Sequence, residues 1–386
     1  MTLLGPGEGK LTIAGNSGQR IFQHPGPSIA LLPLLLLKDM TLSDGFAAYD
    51  FSTHGDGGGI NTDATVELDR VTVANCHGNG SGGAISAGGV TLDHATATGN
   101  AADLNGAGIS ARTVNLISST VSVNKATHNG GGIFGADVSL TDSTVSENIA
   151  GFGSANKQGG GMFVTGNLTL TRSTVDHNFV YGGQAGIEAY NASPATLTAA
   201  IVDSTISGNV ATNGVGGIYV NSGVVKQYNS TIAFNYAGSS AGPFAAGMAT
   251  GTEYGDMDMR FHAALITNNL GANAPHDFSF LDGSSLGHHA SFSGANNFVR
   301  YPDYNPGSVF THVGGCPRVG PLRNNGGATR THALQSGSQA INAGDNVDGL
   351  PNDQRGSPFA RAVGAADIGA YEIQAEIVFT ADFDDC

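Results

Sequence analysis

The sequence predicts an all-β chain folded as a single-stranded parallel β-helix, with three-strand coils of about 24–30 residues and an irregular C-terminal cap. Three observations carry this. A small-residue-plus-aliphatic beat recurs at Gly59-Ile60, Ala84-Ile85, Gly108-Ile109, Gly132-Ile133, Gly161-Met162, Gly186-Ile187, Gly217-Ile218 and Gly247-Met248. A second ladder runs in phase with it, Cys76 and then Asn100, Asn124, Asn148, Asn178, Asn209 and Asn235. Between the beats lie short runs that alternate apolar and polar residues.

The first strand of each coil is read in Val66-Glu67-Leu68, Val90-Thr91-Leu92, Val114-Asn115-Leu116, Val138-Ser139-Leu140 and Leu168-Thr169-Leu170, whose period of two is that of a half-buried strand. The second is the Ser-Thr-Val-Ser run at Ser119, Ser143 and, with Ile for Val, Ser204. The Gly-Gly-Ile element supplies the third. No stretch of ten or more residues has a helical period, so helical repeats compete poorly. The 59 glycines fit a chain with many tight corners, since glycine in regular structure costs about 0.5–1 kcal/mol. The aligned Asn residues read as structural: Asn tolerates the left-handed region, and its amide can bond to the equivalent amide one coil away. Cys76 stands at the first rung as a small buried substitute.

A solenoid absorbs 386 residues in one continuous core, here residues 1–315, with longer loops over 150–310 and a C-terminal cap over 316–386. Strands stacked about 4.8 Å apart would make a rod whose ends need covering. A net charge of −15 argues against nucleic acid and against an anionic membrane. Charged residues make up only 12%, which leaves Ser, Thr, Asn and Gly to cover the coils.

Cys76, Cys316 and Cys386 lack metal-ligand spacing; a Cys316–Cys386 bridge is open on sequence grounds, with free thiols the expectation. Leu31 to Leu37 is too short to span a membrane and contains Pro33, so it reads as a strand or turn of the first coil. Solenoid-like runs begin at once, in Leu3-Leu4-Gly5-Pro6-Gly7 and Leu11-Thr12-Ile13-Ala14-Gly15-Asn16, with no signal peptide before them; a truncated start is the expectation.

The C-terminal region carries four motifs in order: Gly320-Pro321-Leu322-Arg323-Asn324-Asn325-Gly326-Gly327, Gly337-Ser338-Gln339-Ala340-Ile341-Asn342-Ala343-Gly344-Asp345, Asp353-Gln354-Arg355-Gly356 and Ala366-Asp367-Ile368-Gly369-Ala370-Tyr371-Glu372. This series resembles the choice-of-anchor Q domain at the end of exported bacterial right-handed parallel β-helix proteins, and the resemblance implies a right-handed coil of pectin lyase-like fold and a secreted or cell-surface location. Asn342 stands where that family usually has Asp. The tail Ile377 to Phe383 replaces the usual sorting segment and leaves anchoring undecided. On the residues alone, Asp345, Asp353, Arg355, Asp367 and Glu372 read as a charge-paired network tying loops over the end of the rod, with a metal or ligand site as the alternative.

Candidate chemistry is sparse. Two residues after the first-strand Leu, the coils read Arg70, His94, Ser118, Asp142, Arg172, Asp203 and Asn229, where Asp142, Arg172 and Asp203 suggest an exposed ion-pair ladder. Just before the Asn ladder they read Asn75, Gly99, Val123, Glu147, His177, Gly208 and Phe234. Glu147, Arg172, Asp176 and His177 are the candidate catalytic residues, because a His beside a carboxylate is a general base in form; the competing reading packs them structurally. Of 28 Phe and Tyr residues, 19 lie between Phe152 and Phe310, where the coils lengthen to 29, 31 and 30 residues. There Tyr181, Glu188, Tyr190, Tyr219, Tyr228 and Tyr236 form a candidate sugar-stacking surface, while Phe278, Phe280, Phe292 and Phe298 read as core. No metal, nucleotide or zinc signature is present, and no cofactor is expected. The leading expectation is an adhesin-like, non-catalytic protein that binds polysaccharide or cell-surface glycan through its lateral face. The alternative is a polysaccharide lyase or glycoside hydrolase acting between about residues 140 and 240. Oligomeric state is open.

Overall fold

A computed structural model describes residues 1–374 except 8, 17, 25–33, 52–53, 155–156, 185, 192–196 and 239–245. Cys386 and the tail 377–383 lie outside the described residues, as do residues 31–33 of the leucine run. The chain is a right-handed parallel β-helix, and it divides into two compact units. The first is Met1–Gly166 with His177–Glu188; the second is Asn167–Asp176 with Ala189–Cys386.

In the first unit the strands Ile60–Ala74, Ile85–Asp93, Ile109–Ile117 and Ile133–Thr141 pair in parallel, so that Ile85, Ile109 and Ile133 stack on one another. Val90, Val114 and Val138 do the same one step along, and so do Leu92, Leu116 and Leu140. All nine are buried. At about 25 cal/mol per Å² of apolar surface removed from water, like-on-like stacking of aliphatic side chains is the main stabilising term. Leu34–Ser43 forms a strand of this sheet with Leu35 and Leu37 buried, in keeping with the strand expected of the leucine run. The Gly-Gly-Ile element and the Val-x-Leu run, expected as separate strands, are one continuous strand here. The third strand is instead the residue pair after the ladder Asn: His77–Gly78, Ala101–Ala102, Lys125–Ala126, Ile149–Ala150 and Phe179–Val180. Its inward residues Ala102, Ala126, Ala150 and Val180 are small and buried.

Two sharp corners per coil need left-handed backbone. One is held by Arg70, His94, Ser118 and Asp142 (φ 52°, 50°, 46° and 50°), the other by Asn75, Gly99, Val123 and Glu147 (φ 55°, 68°, 59° and 58°). The ladder Asn is therefore not the left-handed residue; its predecessor is. What the ladder Asn does is bond across coils. Asn100 Nδ2 donates to Asn124 Oδ1 (2.9 Å) and to the Val73 carbonyl (3.1 Å), and Asn124 and Asn148 repeat the pattern. Buried corner amides are satisfied in this way. Cys76 opens the ladder, its N–H donating to Asn100 Oδ1 (2.9 Å), and burial pushes its thiol up to about 11.

The second unit repeats this plan from Leu168–Thr171 to Phe298–Val299, with Asn209 on Asn235 and Asn235 on Asn269 (both 2.9 Å). Asp277 ends the ladder: its carboxylate accepts from Asn269 Nδ2 (2.8 Å) and from the Tyr301 N–H (2.9 Å), and burial raises it to about 6. Phe261, Phe278 and Phe310 pack edge to face at 5.2–5.9 Å behind it. Phe278 and Phe298 are core as expected, whereas Phe280 and Phe292 are half-buried against Tyr304.

The C-terminal segment runs along the flank of this unit's coils, which corrects the expectation that its charges tie loops over an end. Thr174, Thr205 and Thr231 occupy one outward file of successive coils. Thr174 Oγ1 donates to the Arg330 carbonyl (2.8 Å), Thr205 Oγ1 donates to Gln354 Oε1 (2.6 Å), and Thr231 Oγ1 accepts from the Ala370 N–H (3.0 Å). Under this cover the strands Thr174–Asp176, Thr205–Ser207, Thr231–Ala233 and Leu265–Thr267 are buried at every position. Arg355 is sandwiched between Phe359 and Tyr371 (3.9 Å to each ring) and bound to Asp353 (2.7 Å). Arg361, fully buried, joins Asp203 (3.1 Å) to Glu372 (3.2 Å). Asp345 stands apart from these, accepting from Asn296 (3.2 Å) beside His262. Cys316 is disulfide-bonded, which corrects the expectation of a free thiol there.

Candidate functional site

The corners decide where the candidate catalytic residues point. Glu147 and His177 (φ 58° and 54°) are exposed corner residues in the first unit, each directly before a ladder Asn, and Asn148 and Asn178 are stacked 2.9 Å apart. They thus occupy equivalent places on successive coils. Arg172 and Asp176 belong to the second unit and to the seat of the C-terminal segment. Arg172 (φ 47°) is half-buried and its carbonyl accepts from Thr329 Oγ1 (3.0 Å). Asp176 has no exposed side-chain surface and is ion-paired with Arg330. A carboxylate held this way is closed to a substrate. Asp203 is likewise buried and paired with Arg361, so it is not the exposed ladder member that the sequence suggested. Burial pushes Asp203 up to about 7, with Arg361 opposing the rise, and burial also raises Asp367 and Glu372.

The six ligand-binding candidates differ in exposure within each unit. In the second unit Tyr219 is buried with Val215 and Ala249. Tyr190 is half-buried against Tyr254 (5.3 Å), and Tyr228 is half-buried against His262 (5.2 Å). Tyr236 is exposed on a short third strand between Val210 and Leu270. In the first unit Glu188 is buried, its Oε2 has no hydrogen-bond partner, and burial pushes it up to about 8. That environment suits a proton-bearing carboxyl better than a sugar contact.

Tyr181 lies in an exposed aromatic cluster of the first unit. It is 42% exposed, with its ring 4.7 Å from Phe179 and 6.3 Å from Phe152, which is 47% exposed. The Lys125 ammonium stands 3.0 Å over the Phe152 ring. The third-strand register builds this cluster, stacking Ala101, Lys125, Ile149 and Phe179 outward on successive coils. The backbone then places the two outer rings: the Phe152 N–H donates to the Ala126 carbonyl (3.3 Å) and that of Tyr181 to the Ala150 carbonyl (3.1 Å). Edge-to-face rings leave apolar faces open, and the lysine adds a donor beside them. Lys125, Phe152 and Phe179 were missed in the sequence, although the residue after each ladder Asn spells out Ala101, Lys125, Ile149 and Phe179 once the rungs are aligned.

Among the described residues no group of three His, Cys, Asp or Glu side chains is placed to hold a metal, and no helix is long and apolar enough to cross a membrane. The sequence matches no known family profile and no curated protein. Among solved structures, the chain is similar to a crystal structure of pectate lyase Pel9A with a TM-score of 0.37 and 14% identity, over 89% of each chain. Agreement at that level carries no argument about chemistry; the fold rests on the stacked coils described above.

Proposed function

We propose that this is an exported or cell-surface β-helix protein of the choice-of-anchor Q kind, adhesin-like and non-catalytic, that binds polysaccharide or surface glycan through its lateral face. The observation that carries the reading is the exposed cluster of Lys125, Phe152, Phe179 and Tyr181 on the first unit. Its rings match the apolar faces of pyranose sugars, and Lys125 supplies a donor to ring substituents. The motif-bearing segment from residue 316 onward then serves as a structural clamp, which its buried ion pairs favour.

The second reading, a lyase or hydrolase, draws on Glu147 and His177 as exposed neighbours on successive corners. A glycan array run beside a screen for new reducing or unsaturated ends separates the two. Binding without new ends is the expected result; cleavage that disappears in His177→Ala would replace binding with catalysis.

A further inference from the structure

Lysines are scarce in the first unit, and two of them meet at the aromatic cluster. The unit holds Lys10, Lys38, Lys125 and Lys157, of which Lys38 is bound to Asp69 (2.9 Å). Lys125 lies over the Phe152 ring, and Lys157 is bridged in parallel to Gly182, the residue after Tyr181. A Cβ on Gly151 would stand 3.0 Å from the Tyr181 carbonyl oxygen and 3.1 Å from Lys157 Cβ. Lys157 and Tyr181 therefore close on the residue directly before Phe152. Both lysines are half-buried, their stems lying on the protein as long cationic side chains do.

Among the described residues no carboxylate forms an ion pair with either lysine. Asp103 and Glu147 each lie two residues from a strand partner of Lys125, Ala101 and Ile149 respectively. Asp103 is bound to His77 Nε2 (3.0 Å) instead, and Glu147 is exposed at its corner. The Lys157 charge reaches the preceding coil, where burial and then Lys157 hold the His128 imidazole below its ordinary value. The His128 carbonyl in turn accepts from the Gly151 N–H (3.1 Å). A chain of net charge −15 thus carries two ammonium groups, unpaired with any described carboxylate, beside its exposed rings.

Charge complementarity selects the class of ligand. A neutral sugar would use the rings and leave both ammonium groups to solvent. Nucleic acid would press a phosphate per nucleotide against the overall negative charge. We infer that the cluster binds an acidic glycan, a sugar chain bearing carboxylate or sulfate groups, with a sugar face on Phe152 and Tyr181 and an acidic substituent against Lys125 and Lys157. This rests on the reading of the cluster as a glycan-binding face and adds to it the charge of the glycan. Exposed contacts of this kind are screened by salt, so the lysines act together with the rings.

The test is calorimetric titration of the full chain, at low and at raised salt, with alginate oligosaccharides (carboxylate) and carrageenan oligosaccharides (sulfate). Each is run beside its neutral form, carboxyl-reduced or desulfated, and beside single-stranded DNA. Three proteins are compared: wild type, Lys125→Gln/Lys157→Gln and Phe152→Ala/Tyr181→Ala, each with its Tm measured to confirm folding. The expected result is binding of at least one acidic glycan, weakened about tenfold or more in the lysine variant and in its neutral form, and weakened also by salt and in the aromatic variant. Whether alginate or carrageenan binds tells carboxylate from sulfate. Acidic-glycan binding untouched in the lysine variant, a neutral form bound as tightly as its acid, or DNA bound in preference to both glycans would each overturn the inference. Binding of neutral glycans alone, lost in the aromatic variant and kept in the lysine variant, would overturn it and leave the glycan-binding reading standing. Binding of no glycan at all would overturn both.

Discussion

Replacing Glu188 by Gln should remove a pH dependence that the wild-type fold carries. The carboxyl is buried, its Oε2 has no partner, and burial raises it from 4.5 to about 8. A group whose folded value is raised contributes stability that is fully present below its unfolded value and is lost as pH rises through the folded one. The window therefore runs from about pH 4.5 to about pH 8. At about 1.4 kcal/mol per pH unit, the rise amounts to about 5 kcal/mol, an upper bound because the site can relax around the charge. With an unfolding entropy of about 2 cal/mol/K per residue, that corresponds to about 6 °C in Tm for a chain of this length. The Gln side chain leaves a polar group buried at a constant cost of about 1–3 kcal/mol, which offsets the curve without tilting it. The assay is Tm against pH for wild type and variant. Asp203 has the same sign, raised to about 7, and cancels in the difference. The expected result is a variant that gains on wild type from pH 5 to pH 9; parallel curves would refute the reasoning.

Other outcomes follow from the same physics. Arg361→Met leaves Asp203 and Glu372 buried without their cation and should cost about 3–5 kcal/mol, read as faster proteolysis within the C-terminal segment. Asn124→Ala removes an amide that bonds to Ala97 and Asn148 and accepts from Asn100; a loss of about 3 kcal/mol is expected in denaturant melts. Asp277→Leu ends the ladder without an acceptor for the Asn269 and Tyr301 donors, and should raise amide exchange at those residues while leaving that of Asn100 and Asn124 unchanged.

How much of this was legible in the sequence depends on whether a residue's neighbours repeat. Ile85, Ile109 and Ile133 meet their own kind, so period alone places them, and the same holds for Asn100, Asn124 and Asn148. The ladder was followed only to Asn235 because its next step, to Asn269, stretches to 34 residues, and the last, from Asn269 to Asp277, spans eight and changes residue type. Partners drawn from outside the repeat left no periodic trace. Arg330 and Arg361 lie more than 150 residues beyond Asp176 and Asp203, so an exposed ion-pair ladder looked natural where a buried dock stands. The same holds for Tyr219, whose alternation marks it as outward but whose cover no local pattern announces. The Lys125 and Phe152 contact was legible only in part. Register places Lys125, but the turn that carries Phe152 over it lies between coils and obeys no period.

The most direct test of binding through the Lys125, Phe152, Phe179 and Tyr181 cluster is a titration of the best array glycan against wild type and Phe152→Ala/Tyr181→Ala. The account predicts at least about tenfold weaker binding with an unchanged Tm. Equal affinity for the two proteins would contradict it.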